Sequence, residues 1–350
     1  MLDLAYDFIR EYFLYKVEPD TSHHVGQRFL EDFRWTFWLV KDRFIENPVL
    51  RIKLAGVKLS DPFILAAGWD KNGKITKSMV YCGFRNITIG SVRPNIYFGN
   101  KRPWFDRDPH ATLPWYQNSM GLPSEGAETV ARYLKSLGEL RERIKLIIGY
   151  SGNSAEEILQ VDKVLGAYTN IRELDVSCPN VPNGTRLERD LESLETLVNS
   201  LNVQYKTPIS IKISQYQIWK DKIELKKLAR KAQDLGLFIT ASNTLSRTNK
   251  KFEMKKGGLS GPILYKDTVK ITKLIYQETE NEVPIIATGG IETGRQAFEI
   301  IGYGASAVGF LTVLIRRGPF APSRIRQEFL SELSLSPYSS VEDLRGKLLR

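Results

Sequence analysis

A thiol, a proline and an amide stand in a row at Cys178-Pro179-Asn180, directly after Leu174-Asp175-Val176-Ser177. Leu174 and Val176 read as a buried strand, which Pro179 ends because proline has no N–H to give a ladder. Pairing therefore stops where a thiol and an amide become available to a ligand. A buried structural cysteine beside a turn is the other reading, since free cysteine is among the most buried residue types. Two lysines sit close to strand ends, Lys71 behind Phe63–Ala67 and Lys212 within Pro208–Ile213. A lysine there is costly unless it meets an anion or a cofactor carbonyl, or reaches solvent. Gly257-Gly258-Leu259-Ser260-Gly261, Thr288-Gly289-Gly290 and Gly309 suit a phosphorylated cofactor through backbone N–H groups. Ordinary turns use the same residues. No His-rich or carboxylate cluster suggests a metal site, and no paired acids suggest glycoside chemistry.

The elements that must position these residues alternate from residue 50 onward. Eight short apolar runs occur: Phe63–Ala67, Asn86–Val92, Lys145–Gly149, Ile171–Ser177, Pro208–Ile213, Gly236–Ala241, Val283–Thr288 and Ser306–Thr312. Amphipathic segments such as Ala155–Ala167, Leu187–Leu201 and Glu224–Leu235 lie between them. Eight strand–helix repeats predict an α/β fold, a (β/α)8 TIM barrel, with the site at the C-terminal ends of the strands. A doubly wound open sheet is the alternative, weakened because no G-x-G-x-x-G opens the first unit. Pro94 to Leu122 breaks the rhythm and is expected to lie over the barrel mouth, as long loops in compact domains are usually functional.

Residues 1–48 read as a small helical cap. Leu4, Phe8, Tyr12 and Phe13 fall at helical spacing, as do Val25, Phe29, Phe33, Phe37 and Val40. Glu18-Pro19-Asp20-Thr21-Ser22 separates the two stretches and offers N-cap residues to the second. Trp35 and Trp38 point off its stripe, so this helix needs two apolar contacts: the main domain, and a lipid, ligand or partner. The division expected is cap 1–48, barrel 49–335 and a basic C-terminal tail, 336–350. The net charge of +10 is dispersed, which fits a solvated basic surface better than a nucleic-acid stripe. Two cysteines cannot build a disulfide framework. No apolar run approaches the length of a membrane span, and the N-terminus lacks a signal peptide's basic region.

Taken in order, the motifs Ala66-Ala67-Gly68-Trp69-Asp70-Lys71, Asn118-Ser119-Met120-Gly121-Leu122-Pro123, Val176-Ser177-Cys178-Pro179-Asn180, Ser242-Asn243-Thr244, Gly257–Gly261 and Ala287-Thr288-Gly289-Gly290-Ile291 resemble the dihydroorotate dehydrogenase family. The resemblance runs from about residue 5 to residue 320. It implies a (β/α)8 barrel holding FMN, and oxidation of dihydroorotate to orotate in pyrimidine synthesis. A hydride would go to flavin N5 and the C5 proton to Cys178, a base that needs thiolate activation. It further implies that Lys71, Asn118, Ser119, Met120, Gly121, Leu122, Asp175, Asn180, Asn243 and Thr244 meet the substrate. Ala67, Gly68, Lys71, Ser91, Asp175, Lys212, Ser242, Gly261, Gly289, Gly290, Gly309 and Thr312 would meet FMN. Lys212 would place positive charge near flavin N1.

Three features depart from the family pattern. Asp175 stands where the family usually has an asparagine. The helical extension resembles the membrane-bound, quinone-using members, whereas Cys178 resembles the soluble ones. Trp104 and Leu311 stand where quinone-using members carry arginine and tyrosine. A quinone acceptor is expected, because soluble members lack the helical pair. The location implied is the cytoplasmic side, with peripheral membrane association; a homo-oligomer is left open. The alternatives are a flavin barrel of altered substrate or acceptor, and an RNA-modifying flavoprotein of the dihydrouridine synthase type. The latter needs a C-terminal RNA-binding domain, for which little chain remains after Pro322.

Overall fold

All eight apolar runs become strands of one closed parallel barrel. In this computed structural model, which describes residues 2–39, 46–175, 177 and 187–349, they are β1 Phe63–Asp70, β2 Asn86–Val92, β3 Lys145–Tyr150, β4 Ile171–Asp175, β5 Ile209–Ile213, β6 Phe238–Ala241, β7 Ile285–Thr288 and β8 Ala307–Phe310. Neighbours in the barrel are neighbours in sequence, and β8 closes onto β1 with Phe310 opposite Leu65. Helices on the outside bury the outer strand faces, so the strands read as continuous apolar runs rather than as alternation. The registers place Asp175 opposite Lys212, and Thr288 opposite Gly309. The register shifts near the ends of β1 and β2. Such irregularities re-aim the backbone at barrel rims.

The N-terminal ends of the strands are locked by buried charge. Arg326 donates to Asp61 at 2.9 Å and to the Gly83 carbonyl at 2.7 Å, while Asn86 donates to the Asp61 carbonyl. This closes the foot of the barrel against the helix Ala321–Ser334. Residues after Pro337 do not hang free: Val341 and Leu344 are buried, and the Leu348 N–H donates to the Gly302 carbonyl at 2.8 Å.

The segment Pro94–Leu122 is not loop alone. Its strands Phe105–Asp108 and Trp115–Asn118 join Leu245–Thr248 and Lys256–Ser260 in a four-stranded antiparallel sheet.

The cap consists of α1 Leu2–Ile9, which continues into a single wide turn Arg10–Leu14, then α2 Pro19–Asp32 and α3 Arg34–Leu39. The expected single helix is broken at Phe33, whose backbone leaves the helical region. Its expected stripe is buried at Phe37 but not at Val25, Phe29 or Phe33, which are exposed along with Trp35, Trp38 and Leu39; Leu30 is buried as well. The reason is geometric: residues four apart drift round a helix with 3.6 residues per turn, so a long run of such spacings leaves one face. Val40 lies outside the described residues. Glu18–Ser22 supplies no side-chain N-cap; Pro19 opens α2 instead. Asp20 turns outward and accepts the N–H groups of Trp104 and Phe105, at 3.0 and 3.1 Å.

Candidate active site

A cavity opens at the C-terminal ends of the strands, under the cap and the antiparallel sheet. Its space is about 1370 Å³ with the open mouth counted in.

The barrel side of the cavity comes from strand ends. At the end of β1, Ala67, Gly68 and Trp69 line the cavity, and Lys71 follows directly after it. Asp70 turns the other way and holds that turn, accepting from Gly73 N at 2.8 Å and Thr76 Oγ1 at 2.6 Å. Burial pushes the Asp70 carboxyl up to about 6, against those hydrogen bonds. At the end of β2, Ser91 Oγ donates to Asp175 Oδ2 at 2.5 Å. On β5, Lys212 faces the cavity with its Nζ 4.0 Å from Glu173 Oε1. After β6, Asn243 Nδ2 donates to Asp175 Oδ1 and to Ser177 Oγ, both at 3.3 Å. Its Oδ1 accepts the Thr244 N–H at 2.8 Å.

The ends of β7 and β8 bring backbone rather than side chains. Gly290 has φ +77°, and a Cβ there would lie 2.5 Å from Tyr265 N. A Cβ on Gly309 would lie 2.3 Å from Thr288 Oγ1. Beside them Glu292 pairs with Arg316 Nε at 2.7 Å; burial raises its carboxyl, opposed by that cation.

Of the residues expected at the site, Ala67, Gly68, Lys71, Ser91, Asn118, Met120, Leu122, Asp175, Lys212, Ser242, Asn243, Thr244, Gly261, Gly289, Gly290, Gly309 and Thr312 line this cavity. Ser119 and Gly121 do not. Asn118 ends a strand, and the chain then turns at Gly121 and Leu122, with φ +74° and +60°; Asn118, Met120 and Leu122 face in. Ser119 instead donates to the Lys256 carbonyl, and Gly121 packs on Asn100. Cys178 and Asn180 lie outside the described residues, as does Pro179.

Several lining residues were missed in the sequence. Glu173 was legible, because it lies two residues before Asp175 on one strand face. His23 and Phe105 were not, since only tertiary packing brings the cap and the antiparallel sheet over the barrel. Their rings meet at 4.4 Å between centroids. Burial, then the charge of Lys71, push His23 down to about 4.

The dihydroorotate dehydrogenase family model matches residues 49–333. The chain belongs to the dihydroorotate dehydrogenase family. A curated relative from Christiangramia forsetii, named dihydroorotate dehydrogenase (quinone), is 30% identical over 91% of this chain and 97% of its own. One of the same name from Natronomonas pharaonis is 29% identical, covering 95% of this chain and 96% of its own. The crystal structure of DHODH from Eimeria tenella in complex with ferulenol superposes with a TM-score of 0.85 at 25% identity, covering 100% of both chains. The ligand-free form from the same organism gives 0.82 at 26% identity, covering 95% of this chain and 100% of that one. The family's barrel is thus the barrel seen here, with the cap included in the structural match.

Proposed function

We propose that this chain oxidises (S)-dihydroorotate to orotate in pyrimidine biosynthesis, with FMN as cofactor and a quinone as final acceptor. The observation that carries the reading is one cavity in which Lys71, Lys212, a set of hydroxyls and amides, and the β7–β8 glycine turns converge.

The residues fit FMN. Side chains at Gly290 and Gly309 would collide with their surroundings, so bare backbone is exposed where a phosphate would approach. Among the described residues, Thr288 Oγ1 and Trp69 Nε1 are buried without a hydrogen-bond partner, and both residues line the cavity. Gly261, Gly289, Gly290, Gly309 and Thr312 would hold the phosphate and ribityl chain. Ala67, Gly68, Ser91, Lys212 and Ser242 would hold the ring. When bound, FMN supplies the two-electron acceptor for the substrate hydride.

The remaining work falls to the chain. Lys71 holds the substrate carboxylate by charge. Asn118, Asn180, Asn243 and Thr244, with the backbone around Met120–Leu122, orient the ring. Cys178 takes the C5 proton at Sγ, which requires it to be a thiolate beforehand. The quinone approaches from the cap side, where His23, Phe105, Leu311 and Ile315 make a mostly apolar wall. Near neutral pH His23 is uncharged there, which suits a neutral headgroup. The cap is the unit 1–48, set on the barrel 49–335 and its C-terminal segment 336–350, and its exposed aromatic residues rest on a membrane surface. No helix among the described residues is long and apolar enough to cross a membrane.

Anaerobic addition of (S)-dihydroorotate to the FMN-loaded protein tests the reading. Prompt bleaching of oxidised flavin is expected, and Cys178→Ala should keep FMN and lose the rapid phase. A yellow protein that does not bleach overturns it.

A further inference from the structure

Asp175 is one of three acids among the described residues that line the cavity, with Glu173 and Glu292. It is buried, lines the cavity and stands opposite Lys212 in the β4–β5 register. Both of its oxygens already take a protein donor, Ser91 Oγ on Oδ2 and Asn243 Nδ2 on Oδ1. A carboxylate only accepts, whereas an amide does both. An amide at this position would allow Asn243 to face it in either sense. The acid allows one: the Asn243 NH2 toward Asp175, and its carbonyl toward its own loop, where Thr244 N–H donates. Ser91 is committed likewise, with its hydrogen on Asp175 and its lone pairs left over. An ionised carboxylate has about four acceptor positions, and donors among the described residues use two.

We infer that Asp175 is a specificity-determining residue. It makes this part of the wall accept and not donate, so the bound ring must present an N–H there, as a lactam or imide does. A ring presenting oxygen at that place sets its lone pairs against those of a buried carboxylate. Glu173 adds a second acid to the same strand face, and Lys212 on the next strand offsets part of the charge the two share. This inference rests on reading the cavity as the site of a dihydropyrimidine carboxylate.

The test is the binding of orotate and of its two oxa analogues, each with one ring N–H replaced by oxygen. Calorimetry is done on the FMN-loaded wild type and on Asp175→Asn, after flavin content and thermal midpoint have been compared. In the wild type one analogue should bind more weakly than orotate by on the order of 10- to 100-fold. In Asp175→Asn that penalty should shrink to roughly a few-fold, because the new amide can turn its NH2 to the ring oxygen. Equal penalties in the two proteins overturn the inference. Should the variant lose FMN, the wild type alone decides: equal binding of orotate and both analogues overturns it. Failure of the wild type to bind orotate at all overturns the functional reading, and this inference with it, before any variant is compared.

Discussion

Glu173 and Lys212 form a charge pair on the inner wall of the barrel, the acid almost wholly buried. Thr240 Oγ1 donates to Glu173 Oε2 at 2.8 Å and meets Ser210 Oγ at 2.8 Å. Burial raises the Glu173 carboxyl above the ordinary glutamate range, while Lys212 and Thr240 pull it back. Removing the cation alone strands the acid, so Lys212→Met should destabilise the protein by about 3–5 kcal/mol in urea unfolding. Lys212→Met with Glu173→Gln should recover most of that loss. The sign of the pH effect follows. Without Lys212 the folded carboxyl rises further above its unfolded value, so the folded state binds the proton more tightly. The Lys212→Met deficit should therefore shrink as pH is lowered toward the unfolded glutamate range and grow as pH rises. A deficit independent of pH would mean that Glu173 is not the group left stranded. Residues of this kind were legible to different degrees. Lys71, Ser91, Lys212 and Asn243 follow from a strand count, because each stands at or near a strand's C-terminal end. Ser119 and Gly121 stand in the motif with their neighbours, and a motif carries no facing information until the turn at Gly121 and Leu122 is known.

The cap is joined to the elements that wall the cavity. Tyr6 Oη donates to the Ile315 carbonyl at 2.7 Å, and Arg10 donates to the Arg316 carbonyl, so α1 and the turn after it finish the helix Thr312–Arg317. Gln27 of α2 donates to the Trp69 carbonyl at 2.8 Å, and Ser78 donates to the Leu30 carbonyl at 2.6 Å. Asp20 holds Trp104 and Phe105 through their N–H groups. Deleting residues 1–48 is therefore expected to weaken FMN retention as well as the quinone step, and flavin content after gel filtration measures it. Asp20→Ala separates the two effects. It should loosen the cap by roughly 1–3 kcal/mol, seen as faster exchange of the Trp104 and Phe105 amides. It should slow quinone-dependent turnover while leaving dihydroorotate bleaching within a few-fold. His23 adds a pH dependence of definite sign. Its folded pKa near 4 lies below the ordinary 6.5, so its contribution is complete at neutral pH and is lost as pH falls from 6.5 toward 4. His23→Gln should flatten that part of the acid-stability curve. The barrel was legible because buried parallel strands leave unbroken apolar runs. The cap was legible only as helical: its break at Phe33 and its buried face depend on which side the barrel offers. The antiparallel sheet was not, since its two hairpins lie far apart in sequence and join only across the mouth.

For the molecule as a whole, the apolar surface is uneven. Phe8, Tyr12 and Phe13 on the first helical stretch, and Phe29, Phe33, Trp35 and Trp38 on the second, are all about half exposed. Patches of this kind on a protein surface mark a partner or a membrane. Aromatic residues favour the bilayer interface, where a ring is half wet. A net charge of +10 adds attraction to anionic lipid, but a screened one. The two contributions differ in their response to salt. Binding to neutral vesicles should be insensitive to ionic strength, and the extra binding to vesicles rich in phosphatidylglycerol should fade as salt rises. Trp35→Asp with Trp38→Asp should lower partition onto both kinds of vesicle by on the order of 10- to 100-fold, since each change removes a large apolar contact and adds a charge. Neither residue lines the cavity, so bleaching by dihydroorotate should be unchanged in that variant. Quinone-dependent turnover should fall when the quinone is carried in vesicles and recover when a short-chain soluble quinone is supplied. Unchanged partition would place the cap's aromatic face against a protein partner instead. Loss of turnover with both quinones would mean that the two tryptophans shape the acceptor path itself rather than its approach to the bilayer.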